Sequence, residues 1–221
     1  MPHPRLTPLD PIYAAGYWTT FWALTLGWGA RAWHRERLPA EGPMLIVGNH
    51  VSHFDPPLVG LCVGRPCKYL ARHNLFHVPG LAWLIRQVGA FPIDREAGKD
   101  GLTAVLKLLA DGERVVMFPE GTRSPDGTLQ PLKPGVALLV KRARCPVVPV
   151  GIAGAYESWP RRHPLPTPAP LGVFGPGRPI GVSFGEPVPA GHYARMGREE
   201  IVADLQGRIA AAVTEAKRLR G

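Results

Sequence analysis

Short apolar runs of strand length, each closing on polar residues and leading into a helical pattern, recur along this chain and constrain its fold more than any other feature. The clearest is Met44-Leu45-Ile46-Val47-Gly48. Five apolar residues in unbroken succession read as a strand buried on both faces of a sheet. Asn49-His50-Val51-Ser52-His53-Phe54-Asp55 follows at once, and residues 56–63 then read as the start of a helix. The same succession is predicted further on. Strands are expected over residues 68–71, 90–93, 114–118 and 146–152, with helices over 79–88, from Asp100 onward, and over 134–143. Leu102, Val105, Leu106 and Leu109 give the middle helix an apolar stripe, with Asp100 as its cap. Alternation of this kind predicts an α/β fold with a mainly parallel central sheet covered by helices. Nine prolines between residues 160 and 189 predict a loop, with one strand near 179–184. A last helix is expected over 198–220, acidic at its start and basic at its end, as the helix dipole favours.

The cluster at 49–55 sits beyond the carboxyl end of its strand, where open α/β sheets place their chemistry. Pro56 biases Asp55 away from the α region and suits the first helical position, which makes Asp55 the expected N-cap. Pro57 has no N–H, so such a cap would serve little beyond the Leu58 amide and would keep acceptor capacity for His50. A carboxylate that holds one imidazole nitrogen sets the tautomer, leaves the other nitrogen as a base and stabilises the imidazolium that forms. The plainer alternative is a helix cap beside a partly buried histidine, and these seven residues alone do not separate the two.

With 221 residues, 45% of them hydrophobic and 19% charged, the chain can bury a sizeable core. Twenty-six Lys and Arg against 17 Asp and Glu leave a net charge of +9, which suits an anionic membrane surface or a phosphorylated substrate. No nucleic-acid partner is expected, because the basic residues are scattered and no nucleic-acid motif occurs. Cys62, Cys67 and Cys145 form no CxxC pair and leave an odd count, as expected of reduced thiols in the cytoplasm.

Residues 11–30 carry no charge and hold Tyr13, Tyr17, Trp18, Phe21, Trp22 and Trp28. Tyr13, Tyr17, Phe21, Leu24 and Trp28 recur at helical spacing, and aromatics of this kind favour the membrane interface. Arg31, Arg35 and Arg37 follow, placed to meet anionic head groups. Residues 1–37 are therefore expected to form a helical membrane anchor inserted in one leaflet, with the remaining domain over 38–221. A full span and a helix packed on the core are the alternatives.

Two more turns follow predicted strands. Gly89-Ala90-Phe91-Pro92-Ile93-Asp94-Arg95 closes on a basic residue, and Phe118-Pro119-Glu120-Gly121-Thr122-Arg123-Ser124 joins a carboxylate, a hydroxyl and a guanidinium in one loop. Two arginines at such ends can grip a phosphate as forks. Taken singly, each arginine is more often a surface ion pair, and Glu120 reads equally as a solvated loop acid pairing with Arg123.

Together these residues resemble the glycerolipid acyltransferases, specifically the 1-acylglycerol-3-phosphate (lysophosphatidate) acyltransferases. Asn49, His50 and Asp55 match the family's first motif, with Ser52 where relatives often carry serine. Gly89 to Arg95 match the second, Phe118 to Ser124 match the third at all seven positions, and Val147-Val148-Pro149-Val150 match the fourth. The motifs stand in family order over roughly residues 38–155. The resemblance implies His50 as general base and Asp55 as its orienting partner. It implies a phosphate held by Arg95 and Arg123, glycerol oriented by Glu120, and substrate contacts from Gly121 and Thr122. The acyl donor would be acyl-CoA or acyl-carrier protein and the acceptor lysophosphatidate in the membrane lipid, at the cytoplasmic face of the cell membrane, with no cofactor. Asn49, Ser52 and Arg72 would support the site; Arg72 stands where relatives often have lysine. His50, His53, His73 and His77 are spaced like metal ligands, but no Cys/His framework completes them and no metal is expected. Ser52 could be a nucleophile, although a turn hydroxyl is its more usual role. Cys62 and Cys145 lie in apolar runs and read as small buried hydrophobes.

Overall fold

The computed structural model describes residues 11–72, 76–77, 89–93, 98–163, 166–167 and 179–221. Seven strands form one sheet: β1 (Arg31–Trp33), β2 (Met44–Gly48), β3 (Lys68–Arg72), β4 (Ala90–Ile93), β5 (Arg114–Met117), β6 (Val147–Ala153) and β7 (Gly181–Phe184). Their order is β1-β7-β6-β2-β5-β3-β4. The five strands from β6 to β4 run parallel, whereas β7 pairs antiparallel with β6 and carries β1 parallel to itself. The fold class is the one expected. The carboxyl ends of β6, β2, β5, β3 and β4 therefore open on one edge, with β2 between β6 and β5. Five strands in one direction need crossovers, and the helices supply them.

Among the described residues the α-helices are α1 (Pro11–Trp22), α2 (Asp55–Val63), α3 (Gly98–Ala110), α4 (Gly135–Arg142), α5 (Ala155–Ser158) and α6 (Arg198–Arg220), of which α2, α3 and α4 cross between parallel strands. Alternation along β2 divides the core between two faces. Met44 and Ile46 join Leu58, Cys62, Val148, Val150 and Phe184 on the α2 side, and Leu24 reaches the same cluster. Leu45 and Val47 face the other way, onto Val105, Val136, Val140, Leu205 and Ile209 from α3, α4 and α6. Helix α6 lies directly on β6: a Cβ added at Gly151 would come within 2.1 Å of the Ala212 and Val213 backbone. Only glycine permits that approach. All three cysteines are buried free thiols, and burial pushes those of Cys62 and Cys67 up to about 12.

Several expectations need correction. Asp55 is not an N-cap. It is the first residue of α2, Phe54 precedes it in helical conformation, and the Leu58 amide bonds to the Phe54 carbonyl. Helix α3 starts at Gly98, two residues before the expected cap. The expected helix over 79–88 lies outside the described residues.

The N-terminal helix is also shorter than expected. It passes from α1 into a π-helical turn at Ala23–Gly27 and stops, and Arg31–Trp33 becomes an edge strand. Arg37 is engaged with the fold: its Nη1 donates to the Phe184 carbonyl at 2.9 Å and its Nε meets Glu186 at 2.8 Å. The described part of the aromatic stripe faces inward. Leu24 is buried, and Phe21 and Trp28 pack on the core beside Trp18. Trp22 and Leu26, off that stripe, are 52% and 61% exposed. The π turn carries an extra residue per turn, so side chains beyond Trp22 fall out of the ordinary helical register. Among the described residues no helix is long and apolar enough to cross a membrane.

Candidate active site

Three strand ends, those of β2, β5 and β6, build the site on the common edge. Asn49 leaves β2 and ties the turn to β6: its Nδ2 donates to the Ile152 carbonyl at 2.9 Å and its Oδ1 accepts from the Ile152 N–H at 2.8 Å. At 1% exposure it is sealed from water, so the two bonds satisfy a peptide group that would otherwise be orphaned.

His50 comes next. Its Nδ1 lies 2.7 Å from Asp55 Oδ2, and that oxygen also accepts from the backbone N–H of Val51 at 2.6 Å and of Ser52 at 2.7 Å. The carboxylate thus turns back into the loop and does not cap the helix. Pro56 and Pro57 explain why. They occupy the first positions after Asp55 and offer no N–H, so the nearest free amides are those of the turn behind. With Nδ1–H donated to Asp55, the basic lone pair lies on Nε2. The His50 side chain retains 14% exposure while Asp55 has none, so the imidazole is reachable and its carboxylate partner is shielded. This separation of roles is what a general base needs.

The loop after β5 holds His50 from the other side. The Phe118 ring stacks on the imidazole at 4.3 Å between centroids and 17° between planes. Glu120 Oε1 accepts from the His50 N–H at 2.7 Å, and the Ser124 N–H donates to the His50 carbonyl at 2.7 Å. Glu120 Oε2 accepts from the Gln130 N–H at 3.1 Å. Between these anchors Gly121 turns the chain at φ +74°, its N–H returning to the Phe118 carbonyl. That left-handed conformation favours glycine. Gly121, Thr122 and Arg123 are half-buried at the rim. Burial pushes the Glu120 carboxyl up to about 7, against the pull of its two amide donors.

Beyond β6, α5 brings Trp159 over the turn. Its carbonyl accepts from Ser52 Oγ at 2.9 Å and from the His53 N–H at 3.4 Å. Ser52 Oγ in turn accepts from the Phe54 N–H at 3.2 Å. The hydroxyl is fully buried and its proton points to Trp159, which is the behaviour of a turn residue. The His53 ring stacks on Trp159 at 4.7 Å. Burial holds His53 below the usual histidine range, and the Arg123 guanidinium pushes it the same way.

The structure thus brings Asn49, His50, Ser52, Asp55, Glu120 and the Gly121–Arg123 rim together. Arg72 ends β3 on the same edge, and Arg95 lies outside the described residues. Phe118, Trp159, Gln130 and the Ile152 peptide also shape the site, although no role was expected of them. Trp159 had one available signal, its place after the predicted strand over 146–152; Gln130 had none. Among the described residues no three His, Cys, Asp or Glu side chains gather as metal ligands.

These features agree with the comparisons to known proteins. An acyltransferase family model matches residues 31–153, more than half of the chain. The 1-acyl-sn-glycerol-3-phosphate acyltransferase of Bacillus subtilis is 31% identical over 133 residues, covering 59% of this chain and 66% of that protein. A chloroplastic enzyme of the same name from Brassica napus is 33% identical over 129 residues, covering 57% of this chain and 37% of the relative. The matched region thus spans between about a third and two thirds of the length of these relatives. The crystal structure of the 1-acyl-sn-glycerophosphate acyltransferase PlsC from Thermotoga maritima superposes with a TM-score of 0.74 at 26% identity, over 93% of this chain and 78% of that one. A matching family model over the first six strands of the sheet, and a sheet of the same kind carrying the His50–Asp55 pair at its open edge, place this chain in the acyltransferase family.

Proposed function

We propose that the chain transfers a fatty acyl group from a thioester to the free hydroxyl of 1-acylglycerol 3-phosphate, forming phosphatidate. The His50–Asp55 pair, bonded at 2.7 Å with its base exposed to the edge, carries this reading. His50 Nε2 takes the proton as the acceptor oxygen attacks the thioester carbonyl. The tetrahedral intermediate collapses, the carbon–sulfur bond breaks, and the leaving thiolate takes the proton back from the imidazolium. Asp55 stabilises the cation in between. No serine nucleophile is required, consistent with the Ser52 hydroxyl being spent on Trp159.

Arg123 supplies positive charge at the rim, and Gly121 and Thr122 border the same space. Arg95 follows β4 by two residues, and β4 lies two strands from β5, about 10 Å at the usual strand spacing. In this reading the two guanidinium groups share one phosphate. Acyl-CoA and acyl-carrier protein both supply the required thioester.

Residues 11–27 form the membrane-contacting element in this reading, lying along one leaflet at the cytoplasmic face. Their helical length, about 25 Å at 1.5 Å per residue, falls short of the hydrocarbon core. Among the described side chains of this segment, Trp22 and Leu26 are the large apolar ones left outward, and an interfacial tryptophan suits the head-group boundary. The deciding assay uses the full chain, labelled lysophosphatidate and a panel of acyl-CoA and acyl-carrier thioesters, with lipid chromatography as readout. Labelled phosphatidate is expected. No acyl transfer to lysophosphatidate alongside transfer to another lysolipid would reassign the acceptor.

A further inference from the structure

We propose that Glu120 is a positioning residue that grips the backbone of the catalytic base and does not contact the acceptor lipid. The proposal rests on His50 being the base. Both Glu120 oxygens are already taken by the protein, one by the His50 N–H at 2.7 Å and the other by the Gln130 N–H at 3.1 Å. The residue is 2% exposed, which leaves little surface for a glycerol hydroxyl.

Its neighbours in the loop do related work. Ser124 donates its N–H to the His50 carbonyl and Phe118 stacks on the His50 ring. Three residues of one seven-residue loop therefore hold one histidine: by its amide, by its carbonyl and by its ring. Asp55 holds the remaining point, Nδ1. The substrate-facing part of the loop reduces to Gly121, Thr122 and Arg123, strung between the Glu120 and Ser124 anchors. Any shift in the loop on binding phosphate at Arg123 is thereby passed to the position of the base.

A buried carboxylate is an expensive way to fill space. Asp55 and Asp126 raise its proton affinity further, while the two amide donors lower it. His50 faces it from the turn through its N–H, and the Lys133 side chain lies beside the neighbouring Gly121. An ionised carboxylate can accept from two amides about 70 and 10 residues away in the chain, which is the geometry observed. Glutamine cannot replace it fully: its one oxygen serves one amide, and its NH2 is turned against the other.

The test compares wild type with Glu120→Gln and Glu120→Asp, the latter keeping the charge on a side chain one methylene shorter. Both should lower kcat by about tenfold to a hundredfold, since small displacements of a reacting group carry losses of that size. KM for lysophosphatidate should stay within about twofold. A raised KM with kcat preserved overturns the proposal and returns Glu120 to the acceptor. A second measurement needs no variant. In wild-type protein, the His50 amide proton resonance should lie far downfield and titrate together with the Glu120 carboxyl carbon near neutral pH. A His50 amide that ignores the Glu120 titration overturns the proposal even if both variants fail to fold. If wild type transfers no acyl group at all, the acyltransfer reading fails, and the coupled titration still reports the grip on residue 50.

Discussion

The turn at 49–55 and the helical segment at 11–27 are both rich in aromatic or apolar neighbours, yet they treat their surroundings in opposite ways. In the turn, Asn49, Ser52 and Asp55 are buried with polar partners, and only His50 and His53 keep limited exposure. In the N-terminal segment, Leu24 is buried while Trp22 and Leu26 stand out into the surroundings. A reacting group must be held still, so its environment is closed by hydrogen bonds. A membrane contact must leave apolar surface uncovered for the lipid to cover. Changes in the turn should therefore act on turnover and stability, and changes in the segment on partition alone.

The largest effect should come from His50→Ala, which removes the proposed base and should lower kcat at least ~10²-fold while leaving vesicle binding unchanged. Turnover near that of wild type would end the assignment of His50. Next comes Arg123→Ala. If its guanidinium meets the acceptor's phosphate, losing a charge-assisted pair of about 1.5–3 kcal/mol lowers kcat/KM roughly tenfold to a hundredfold. Arg123→Lys should recover part of that loss, because the charge stays and the fork goes. An acceptor without phosphate should be poor with wild type and indifferent to both changes; equal losses on both acceptors would make Arg123 a structural residue.

Asn49→Ala tests the turn's attachment to β6. It strands the Ile152 N–H and carbonyl in the core, and chemical unfolding should show a loss of about 1–3 kcal/mol. An unchanged midpoint would mean that the turn holds without this tie. The smallest effect is expected at the N-terminal segment. Trp22→Ser combined with Leu26→Ser should weaken vesicle binding roughly five- to thirtyfold, taking about 1 kcal/mol for each partly exposed side chain. Turnover on a detergent-dispersed acceptor should move by less than about twofold on the same account. Vesicle binding that survives both changes would shift the membrane contact to another surface and dissolve the contrast between the two regions.

Sequence and structure agree best where the signal is local. The apolar runs at 44–48, 90–93 and 114–118 became strands, the last ending one residue early at Met117, and the two prolines after Asp55 fall in the first turn of α2. The aromatic stripe misled, because helical spacing shows that residues share a face without showing what that face meets. The described part of the stripe met the core: Phe21, Leu24 and Trp28 pack inward. The cap assigned to Asp55 failed for a similar reason. A capping residue is recognised by composition, but this carboxylate found better donors in the turn behind it.

By itself, then, the sequence determined an alternating α/β chain, a His–Asp pair at a strand end and a loop of acid, hydroxyl and arginine at another. These follow from the order of residues a few positions apart, whose geometry each strand, turn or proline sets locally. Tertiary structure decided what that pair and that loop are to each other. Placing β2 between β5 and β6 brought Glu120 to the amide of a residue 70 positions earlier, and the Trp159 carbonyl to a serine 107 positions earlier. Such bonds depend on strand order and on which face each helix covers, and these are settled only when the two halves of the core close on the sheet together.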